Sequence, residues 1–594
     1  MQILNKERRT FETELDGAGN RLEFTVTGNN SPIAFSITVE DSSGKKAVFS
    51  PEGGNYDFVF TDYRKRRLSI DFDGDLPEKD SGCDFKNLCK ASFCILGDIS
   101  GDVCVDNIEL CSKKSYSAAW ERRKKELEGS HIMTKNEVSA GIRCVDDINE
   151  LKAIYEKLKL ANGEYGADFI RAEGTRFVHE DGSGFIAIGS NYLGINIWEP
   201  DIFRNFSPDE LEEDFSIMEK MGFTVIRFAF THHIWYDKAD ETRVCEECLL
   251  KIAVFLEIAR KHGLRVILVG LDGRAPARFE HTDHIADEEY VEMLARRFEN
   301  TARYFKDNPT ILAWNIYNEL TVNWDTPMML AKWKEKTGKS QIGTSRAEIA
   351  EYQEFRIELA QNYIKKLTEA VRKGTANHMV TCGTLQWSFP LIRPGEYNGY
   401  AAVNPRRFAE YVDFLCPHYY PIYCEHMLYP PENFHINLQT LRGWVNYCKT
   451  GKPILLEEFG STGGGELWGA YYTQNHQLQF ARAAIDTLAA DVAGFIYWPF
   501  QDVPGSTDIS QWSGLIDVEK NLKQLGAEYA QLIKTADRTS YKAEEYVIDM
   551  EKCTTESGSG FGNFIRESIT EYISKLENKK SDIIILEKRE ERDI

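Results

Sequence analysis

The chain has 594 residues, of which 42% are hydrophobic and 28% charged, which is typical of a folded globular protein with length for a large core. It carries 93 acidic and 71 basic residues, and the resulting formal net charge of −22 argues against nucleic acid and anionic membranes as partners. A neutral or cationic ligand fits this charge better.

The cysteines and the first residues bear on cellular location. The 13 cysteines lack the paired spacing of a metal site, and Cys245 with Cys248 is a single pair with no second pair nearby. The first residues contain no apolar signal segment, and no run of about 18 apolar residues occurs. Free thiols and the missing signal predict a cytoplasmic protein without a membrane partner. A secreted protein whose signal had been removed would show the same features.

Residues 1–113 contain six short β-rich runs separated by Gly, Asn and Asp, which predicts an antiparallel β-sandwich. The runs are RLEFTVTG, AFSITVED, YDFVFTD, RRLSIDFDG, KASFCIL and DVCVDNIELC. The last run and its approach, GDISGDVCVDNIEL, resemble the closing strands of jelly-roll carbohydrate-binding modules, which implies sugar binding. A sandwich that only braces its neighbour would have the same pattern, so both roles stay open.

Charged segments with apolar residues at helical spacing follow, and we interpret residues 114–165 as a helical connector. From residue 166, two short strands around an Asp-Gly turn precede a stronger strand, as in a hairpin that plugs the bottom of a barrel. At the other end of the chain, residues 538–594 form a charged tail with one possible helix, FIRESITEYISKLENK.

Between residues 166 and 537, eight apolar strands alternate with helices. The predicted strands are residues 185–192, 224–230, 265–271, 311–317, 379–383, 414–418, 454–459 and 494–498. Because these strands are apolar rather than alternating, they indicate an α/β fold of the (β/α)₈ TIM-barrel type. A doubly wound open sheet is the rival fold, but no G-x-G-x-x-G follows any strand.

The active site of such a barrel lies at the C-terminal ends of its strands. Strand four ends in Asn318-Glu319 and strand seven in Glu457-Glu458, and polar groups there are costly to bury unless the site uses them. Paired carboxylates about 5–5.5 Å apart are what retaining glycoside hydrolysis needs. Side-chain alternation predicts that only one of Glu457 and Glu458 points into the barrel mouth, and this physical reasoning does not say which.

Residues 166–537 resemble glycoside hydrolase family 5, within the clan of retaining (β/α)₈ glycosidases. The resemblance implies that Glu319 is the acid/base and that Glu458, which stands before Phe459 and Gly460, is the nucleophile. It also implies a substrate-binding set that consists of Arg227, Asn318, His418, Tyr420 and Trp498. One position departs from the family, because strand three ends in Asp272 where the family commonly has a histidine. His232 and His233 on the preceding loop are candidates to replace it.

Each substrate-binding residue has a role that makes physical sense. Arg227 near Glu458 would keep that carboxylate ionised, and Tyr420 would donate a hydrogen bond to it. Asn318 would donate to a sugar hydroxyl. The family resemblance implies that Trp498 lies under the sugar ring. Purely structural roles remain as alternatives. Arg227 could form a structural ion pair, His418 could be a core histidine, and Trp498 could simply pack in the barrel. The tryptophans of the predicted top-face loops could stack on sugars or simply pack: Trp198, Trp235, Trp324, Trp387 and Trp512.

The sequence therefore predicts a retaining β-glycosidase that acts on a plant β-glycan or its oligosaccharides without a cofactor or metal. The segment RAEGTRFVHEDGSGFIAIGSNYLG looks most like β-mannan-degrading family members, either endo-mannanases or β-mannosidases. A β-1,4-glucanase or another exo-β-glycosidase is the alternative, and the long insertion at residues 321–346 would favour exo action. A non-catalytic carbohydrate-binding protein and a metal-dependent isomerase or lyase are alternatives from other classes. The oligomeric state is not predicted.

Overall fold

A computed structural model of the chain describes residues 2–16, 18–27, 33–50, 59–60, 65–72, 75, 77–96, 102–112, 142–194, 202–203, 205–230, 236–270, 277–279, 283–389, 400–421, 434–463, 473–503, 509–539, 544–549 and 581–586. Within these ranges, none of the helices combines the length and the apolar character that crossing a membrane requires.

Ten strands in the N-terminal region form two antiparallel sheets, as the β-sandwich prediction requires. They are β1 Gln2–Leu4, β2 Thr10–Glu14, β3 Arg21–Thr27, β4 Ile33–Asp41, β5 Lys46–Phe49, β6 Val59–Phe60, β7 Lys65–Asp71, β8 Lys79–Asp80, β9 Leu88–Leu96 and β10 Val103–Cys111. One sheet has the order β1-β10-β3-β7, and the other has the order β2-β9-β4-β5-β8, with β6 paired to β4. The sequence interpretation missed the four strands β1, β2, β5 and β8.

The sandwich core lies between the two sheets and is rich in phenylalanine. Phe93 of β9 stacks on Phe11 of β2 at 4.9 Å between ring centroids and meets Phe24 of β3 edge-on at 5.2 Å. Along β9 the buried side chains alternate with partly exposed ones over most of its length, because a strand with one face on a core alternates in this way. Burial of these rings, together with the aliphatic side chains of the same core, stabilises the sandwich.

The second domain is a parallel barrel surrounded by helices. Its strands are β14 Ala187–Tyr192, β15 Val225–Phe230, β18 Arg265–Gly270, β19 Ile311–Asn315, β20 Met379–Thr381, β21 Gly383–Thr384, β22 Cys416–Tyr419, β23 Leu455–Phe459 and β24 Gly494–Tyr497. Its helices are α2 Pro208–Met221, α3 Glu246–Lys261, α4 Glu288–Tyr304, α5 Pro327–Thr337, α6 Arg346–Gly374, α7 Pro405–Phe408, α8 Phe434–Tyr447, α9 Gln474–Leu488 and α10 Gln524–Thr535. Before α3, the strands β16 Tyr236–Asp237 and β17 Asp240–Val244 form a hairpin.

The strand order shows that the barrel closes. The order is β20-β19-β18-β15-β14-β24-β23-β22-β21, and β20 and β21 are two parts of one chain segment interrupted at Cys382. Counting them together gives eight parallel strands, so the (β/α)₈ prediction is confirmed. The polar residues that follow the strands are therefore gathered at one end of the barrel.

A short antiparallel sheet covers the opposite end. It consists of β11 Arg171–Glu173, β12 Arg176–Val178 and β13 Gly184–Phe185. Phe177 projects from it and meets Phe414 edge-on at 5.1 Å, within a buried cluster that also contains the barrel residues Val225 and Ile496. This sheet is the predicted plug, with one strand more than the expected hairpin.

The connector and the tail are described in part. Helix α1, Ile148–Asn162, packs on α3, where the buried Glu257 accepts hydrogen bonds from Asn162 and Tyr165 at 2.9 and 2.8 Å. In the tail, β25 Glu544–Asp549 pairs in parallel with β26 Ser581–Leu586. Residues 114–141 of the connector and the predicted tail helix lie outside the described residues.

Buried polar contacts join the sandwich to the barrel. Glu528 of α10 forms a salt bridge with Arg21 of β3 at 2.6 Å and a second salt bridge with Arg482 of α9. Asn475 of α9 donates to Asp75 of the sandwich at 2.5 Å. Arg21 and Arg482 are 1% and 3% exposed, so separating the domains would expose charges that are now paired.

Candidate active site

The strand ends bring six of the seven predicted site residues into one connected group. Arg227 lies on β15, His418 on β22 and Glu458 on β23, whereas Asn318, Glu319 and Tyr420 follow β19 and β22 directly. The seventh residue, Trp498, follows β24 and forms a hydrogen bond with Ser510, which is outside this group. The positions of these residues agree with the sequence prediction, and their catalytic and binding roles stay predictions.

Arg227 is the centre of this group and is 3% exposed. Its Nη1 donates to Glu458 Oε1 at 2.5 Å and to Asn191 Oδ1 at 2.7 Å, and its Nη2 donates to Asn318 Oδ1 at 2.6 Å. Burial lowers the pKa of Arg227, but the attraction of Glu457 and Glu458 outweighs it and raises the pKa above the ordinary value. Arg227 is therefore a fixed cation that orients three side chains.

Glu458 is held through both of its carboxylate oxygens. Oε1 faces Arg227, and Oε2 accepts a hydrogen bond from Tyr420 Oη at 2.6 Å. Burial raises the pKa of Glu458, His418 and Arg227 lower it, and the negative charge of Glu319 raises it further, so that the net direction is upward. Arg227 thus opposes a large desolvation cost, and a proton is easier to add to Glu458 than to an exposed glutamate.

Glu319 lies next to this carboxylate and closer to solvent. Its side chain is 34% exposed, and its Oε1 is 2.9 Å from His418 Nδ1. A carboxylate oxygen of Glu319, one of Glu458 and a ring nitrogen of His418 all lie within 4.8 Å of one another. The two carboxyl groups are thus close enough for one substrate atom to contact both.

The expectation that only one of Glu457 and Glu458 points inward is wrong. Both side chains contact Arg227 and His418. The cause is an irregularity in β23, in which Leu456 pairs with Phe495 but Phe459 pairs with Tyr497. Three steps along β23 therefore match two along β24, and a β-bulge of this kind turns two successive side chains to the same side.

Glu457 occupies the deeper position and is fully buried. Its Oε1 is 3.3 Å from Arg227 Nε, and its Oε2 accepts from Asn315 Nδ2 at 2.7 Å. Burial raises the pKa of Glu457, but Arg227 and His418 outweigh it and lower the pKa below the ordinary value. Glu457 is therefore the permanent anion beneath the site.

His418 is a buried histidine whose two ring nitrogens both face carboxylates. Nδ1 is 2.9 Å from Glu319 and 3.4 Å from Glu458, and Nε2 is 3.3 Å from Glu457 Oε2. Burial lowers the pKa of His418, but the charge of Glu458 and the hydrogen bonds to Glu319 and Glu457 raise it to about 9. This raised pKa favours a charged ring over a neutral core histidine.

Trp498 lies at the rim of this group and is partly exposed. Its Nε1 donates to Ser510 Oγ at 2.9 Å, which fixes the orientation of the indole, and its peptide bond to Pro499 is cis. A fixed, partly exposed ring is suited to stacking on a flat ligand face.

Three of the other predicted loop tryptophans are described, and all three contact protein. Trp324 meets Tyr352 edge-on at 5.0 Å, Trp512 is 6% exposed, and Trp387 packs on the main core. The remaining candidates lie outside the described residues: Trp198, Trp235, His232, His233 and Asp272.

Glu319, His418 and Glu458 are also the group that could hold a metal ion, since their ligand atoms lie within 4.8 Å of one another. A further cation would fit poorly here, because Arg227 and His418, whose pKa is raised, already face the same carboxylates. The donor set suits a shared proton better than a metal ion.

Sequence reasoning missed two amides and a glycine that support the site. Asn191 lies inside β14, where a polar residue in an apolar strand was the available signal, and it accepts a hydrogen bond from Arg227. Asn315 is the last residue of β19 and donates to Glu457. At Gly383, an added Cβ would lie 1.9 Å from the carbonyl oxygen of Asn318. Only glycine lets the chain pass this close to Asn318.

Comparisons with known proteins agree with this fold. The family model described as cellulase (glycosyl hydrolase family 5) matches residues 178–502. No curated protein matches the chain significantly.

Three solved structures with similar folds illustrate the relationship. A GH5_18 protein from Streptomyces cattleya, in complex with Manβ1-4GlcNAc, is 16% identical with a TM-score of 0.51 and covers 68% of this chain and 94% of its own. An exo-β-1,4-mannosidase from Opitutaceae bacterium strain TAV5 is 16% identical with a TM-score of 0.52, and the match covers 71% of this chain and 72% of the mannosidase. A β-galactosidase from the Antarctic haloarchaeon Halorubrum lacusprofundi is 13% identical with a TM-score of 0.50, covering 67% of each chain. At these identities the likeness concerns the fold.

Proposed function

This chain belongs to glycosyl hydrolase family 5, and we propose that it is a retaining glycosidase that cleaves a β-1,4-mannan or its oligosaccharides. The observation that carries the proposal is the pair Glu319 and Glu458, since one carboxylate oxygen of each lies within 4.8 Å of the other beside His418. Retaining enzymes hold their carboxyl groups about 5–5.5 Å apart, whereas inverting enzymes leave room for a water at about 6.5–9.5 Å. The short separation supports retention.

In the first step, a carboxylate oxygen of Glu458 attacks the anomeric carbon, and Glu319 gives its proton to the departing glycosidic oxygen. Arg227 and Tyr420, at 2.5 and 2.6 Å from the two oxygens of Glu458, hold the nucleophile in place for the attack. In the second step, Glu319 takes a proton from water, the water oxygen attacks the anomeric carbon, and Glu458 leaves. The exposure of Glu319 suits its contact with water and the leaving group.

Asn318 and Trp498 are the proposed sugar-binding residues. Because Asn318 Oδ1 accepts from Arg227 Nη2 at 2.6 Å, the amide is oriented so that Nδ2 is the group that donates to a sugar hydroxyl. Trp498 is the ring on which the cleaved sugar stacks. A hydrogen bond to a hydroxyl near the reacting carbon strengthens in the transition state and contributes to the rate.

The choice of a mannoside rests on similarity. The segment at residues 171–194 looks most like β-mannan-degrading members of the family, and two structures of similar fold are a mannosidase and a protein that binds Manβ1-4GlcNAc. The insertion after β19 is anchored by Asp283, which accepts from Thr326 Oγ1 at 2.7 Å and Asn323 Nδ2 at 3.1 Å. A fixed insertion at the rim favours exo action on short chains, and a β-1,4-glucan is the alternative substrate.

Product analysis with mannan, glucan and xylan oligosaccharides tests this proposal. We expect cleavage of manno-oligosaccharides by one sugar at a time, and loss of at least a thousandfold in Glu458→Gln. Glu257→Gln is the matched control, because Glu257 is also buried but lies on α3, where it faces α1. Equal activity of Glu458→Gln and wild type would overturn the nucleophile assignment, and binding without hydrolysis would favour a carbohydrate-binding protein.

We also propose that the sandwich braces the barrel rather than binding polysaccharide. One sheet uses its strands β3 and β7 to contact α9 and α10 through Arg21, Ser69 and Asp71. On the outer face of the other sheet, the described side chains of β2, β4 and β9 are small or charged apart from Leu96: Thr10, Glu12, Glu14, Ser36, Thr38, Glu40, Lys90, Ser92 and Cys94. This described face offers no aromatic ring on which a sugar could stack.

The brace can be tested by weakening the interface with Arg482→Met and comparing the variant with Lys90→Met on the outer face. We expect Arg482→Met to lower the thermal midpoint without changing the affinity for mannan, because it leaves Glu528 buried without one of its partners. A loss of mannan affinity in Lys90→Met at unchanged stability would instead favour a binding role.

A further inference from the structure

We infer that Glu457 is a positioning residue that holds the His418 ring as a hydrogen-bond donor from both nitrogens, so that Nδ1–H is shared by Glu319 and Glu458. This inference deepens the proposed function and rests on the assignment of Glu319 and Glu458 as the catalytic pair. No substrate or cofactor contact is assigned to Glu457, since it lies beneath the reacting carboxylates and is fully buried.

The orientation of Glu457 is fixed by a chain of contacts that leaves one arrangement of donors. Asn315 Oδ1 accepts from the backbone nitrogens of Tyr317 and Gly383 at 3.2 and 3.1 Å, so its Nδ2 must face Glu457 Oε2, at 2.7 Å. The same oxygen is 3.3 Å from His418 Nε2. Because a carboxylate can only accept, Nε2 must carry a proton.

The other ring nitrogen faces oxygens of the same kind. Nδ1 is 2.9 Å from Glu319 Oε1 and 3.4 Å from Glu458 Oε2. A neutral ring with its proton on Nε2 would turn a bare Nδ1 toward the ionised Glu458 at 3.4 Å, which is unfavourable because the ring is fully buried. In the described part of the chain, the charged groups that face the ring are Glu319 beyond β19 and the pair Glu457 and Glu458 on β23. Arg227 on β15 contacts both members of that pair.

This arrangement serves both steps of the proposed reaction. Before the first step Glu458 carries the negative charge and Glu319 the proton, and after it Glu458 is esterified and Glu319 is the anion. The charge therefore moves from one neighbour of Nδ1 to the other and returns in the second step. A proton held on Nδ1 stabilises the anion in either position, provided that Glu457 keeps the second proton on Nε2.

The protonation state of His418 can be measured by nitrogen-15 NMR of histidine-labelled protein, with the signal assigned by its loss in His418→Asn. This measurement needs no substrate, so it is independent of the proposed function. We expect both nitrogens to be protonated at about pH 8 in the wild type, and the midpoint to fall by at least about one pH unit in Glu457→Gln. Glu257→Gln, in a buried glutamate remote from the ring, should leave it unchanged.

Kinetics then connects this state to the reaction. With a dinitrophenyl β-mannoside, whose leaving group needs no proton from Glu319, kcat/KM of the wild type should hold to near pH 9, as the pKa of His418 of about 9 requires. In Glu457→Gln, the alkaline limb of the pH–rate profile should move to lower pH by the same amount as the NMR midpoint. A neutral His418 ring in the wild type at about pH 8 would overturn the inference even if Glu457→Gln did not fold. Unchanged midpoints in Glu457→Gln would also overturn it, whereas absent hydrolysis would count only against the proposed function.

Discussion

Tyr420 Oη donates to Glu458 Oε2 at 2.6 Å, on the oxygen that Arg227 does not contact. The two donors together bond both oxygens of a carboxylate that is 3% exposed. Such hydrogen bonds to a charged group contribute about 1.5–3 kcal/mol each. The strength of the nucleophile therefore depends on the balance between burial and these donors.

Tyr420→Phe should lower kcat/KM by about 10–100-fold, which corresponds to the loss of one charged hydrogen bond. Burial already raises the pKa of Glu458, and Tyr420 is among the groups that oppose this rise. Since the nucleophile must be ionised to attack, removing the hydroxyl should move the acidic limb of the pH–rate profile to higher pH. Tyr419→Phe is the control, because its hydroxyl donates to Asn437 instead, at 3.2 Å. An unmoved acidic limb in Tyr420→Phe would contradict this role.

Trp498→Ala should raise KM about tenfold or more and change kcat less, because it removes a stacking surface but no reacting group. Trp333→Phe provides the comparison, since Trp333 is 1% exposed in α5 and should affect stability alone. The measurement is initial rates over a range of manno-oligosaccharide concentrations. A normal KM in Trp498→Ala would mean that the ring only packs on the loop that holds Ser510.

Chelation with EDTA should leave hydrolysis unchanged. Arg227 and His418 already supply the positive charge around Glu458, so the proposed reaction needs no metal ion. A loss of activity that is restored by a divalent cation would favour a metal site at Glu319, His418 and Glu458 instead.

Glu528→Gln should change how stability depends on pH. Burial raises the pKa of Glu528, but Arg482 and Arg21 outweigh it and lower the pKa from 4.5 to about 2. A carboxyl group whose pKa is lower in the folded than in the unfolded state stabilises the fold at pH values above the unfolded pKa. This contribution, on the order of 2–3 kcal/mol, is lost as the pH falls from about 4.5 to about 2.

Urea unfolding at several pH values checks this effect. The wild type should lose more stability than Glu528→Gln across that interval, and parallel curves for the two proteins would contradict the prediction. Other carboxyl groups titrate in the same range, so the difference between the two proteins is the quantity to compare.

The barrel could be predicted from the sequence because its strands are apolar runs that end abruptly in polar residues. Asn318, Glu319 and His418 illustrate this. Each lies at or beyond the C-terminal end of a parallel strand, where the side chains of a barrel meet at one end. The sandwich was harder, since in β2 only Phe11 is buried and the rest of TFETE reads as polar.

The lower part of the site could not be predicted. The inward direction of Glu457 depends on the bulge in β23, and nothing in the letters LLEEF marks a residue that breaks the pleat. Asn191 and Asn315 act through Arg227 and Glu457, which are distant in the sequence, so their roles follow only from the folded arrangement. Family resemblance selected Glu458 over its neighbour, where side-chain alternation offered no choice.

The central claim is that Glu458 is the nucleophile, and trapping the covalent intermediate tests it most directly. A dinitrophenyl β-mannoside with fluorine in place of the hydroxyl at carbon two slows the second step more than the first, so that the glycosyl-enzyme accumulates. Mass spectrometry of the digested protein should find one fluorosugar on the peptide that contains Glu458, at its carboxylate. A label on Glu319 or Glu457, or turnover of the parent mannoside with no trapped adduct, would contradict the account.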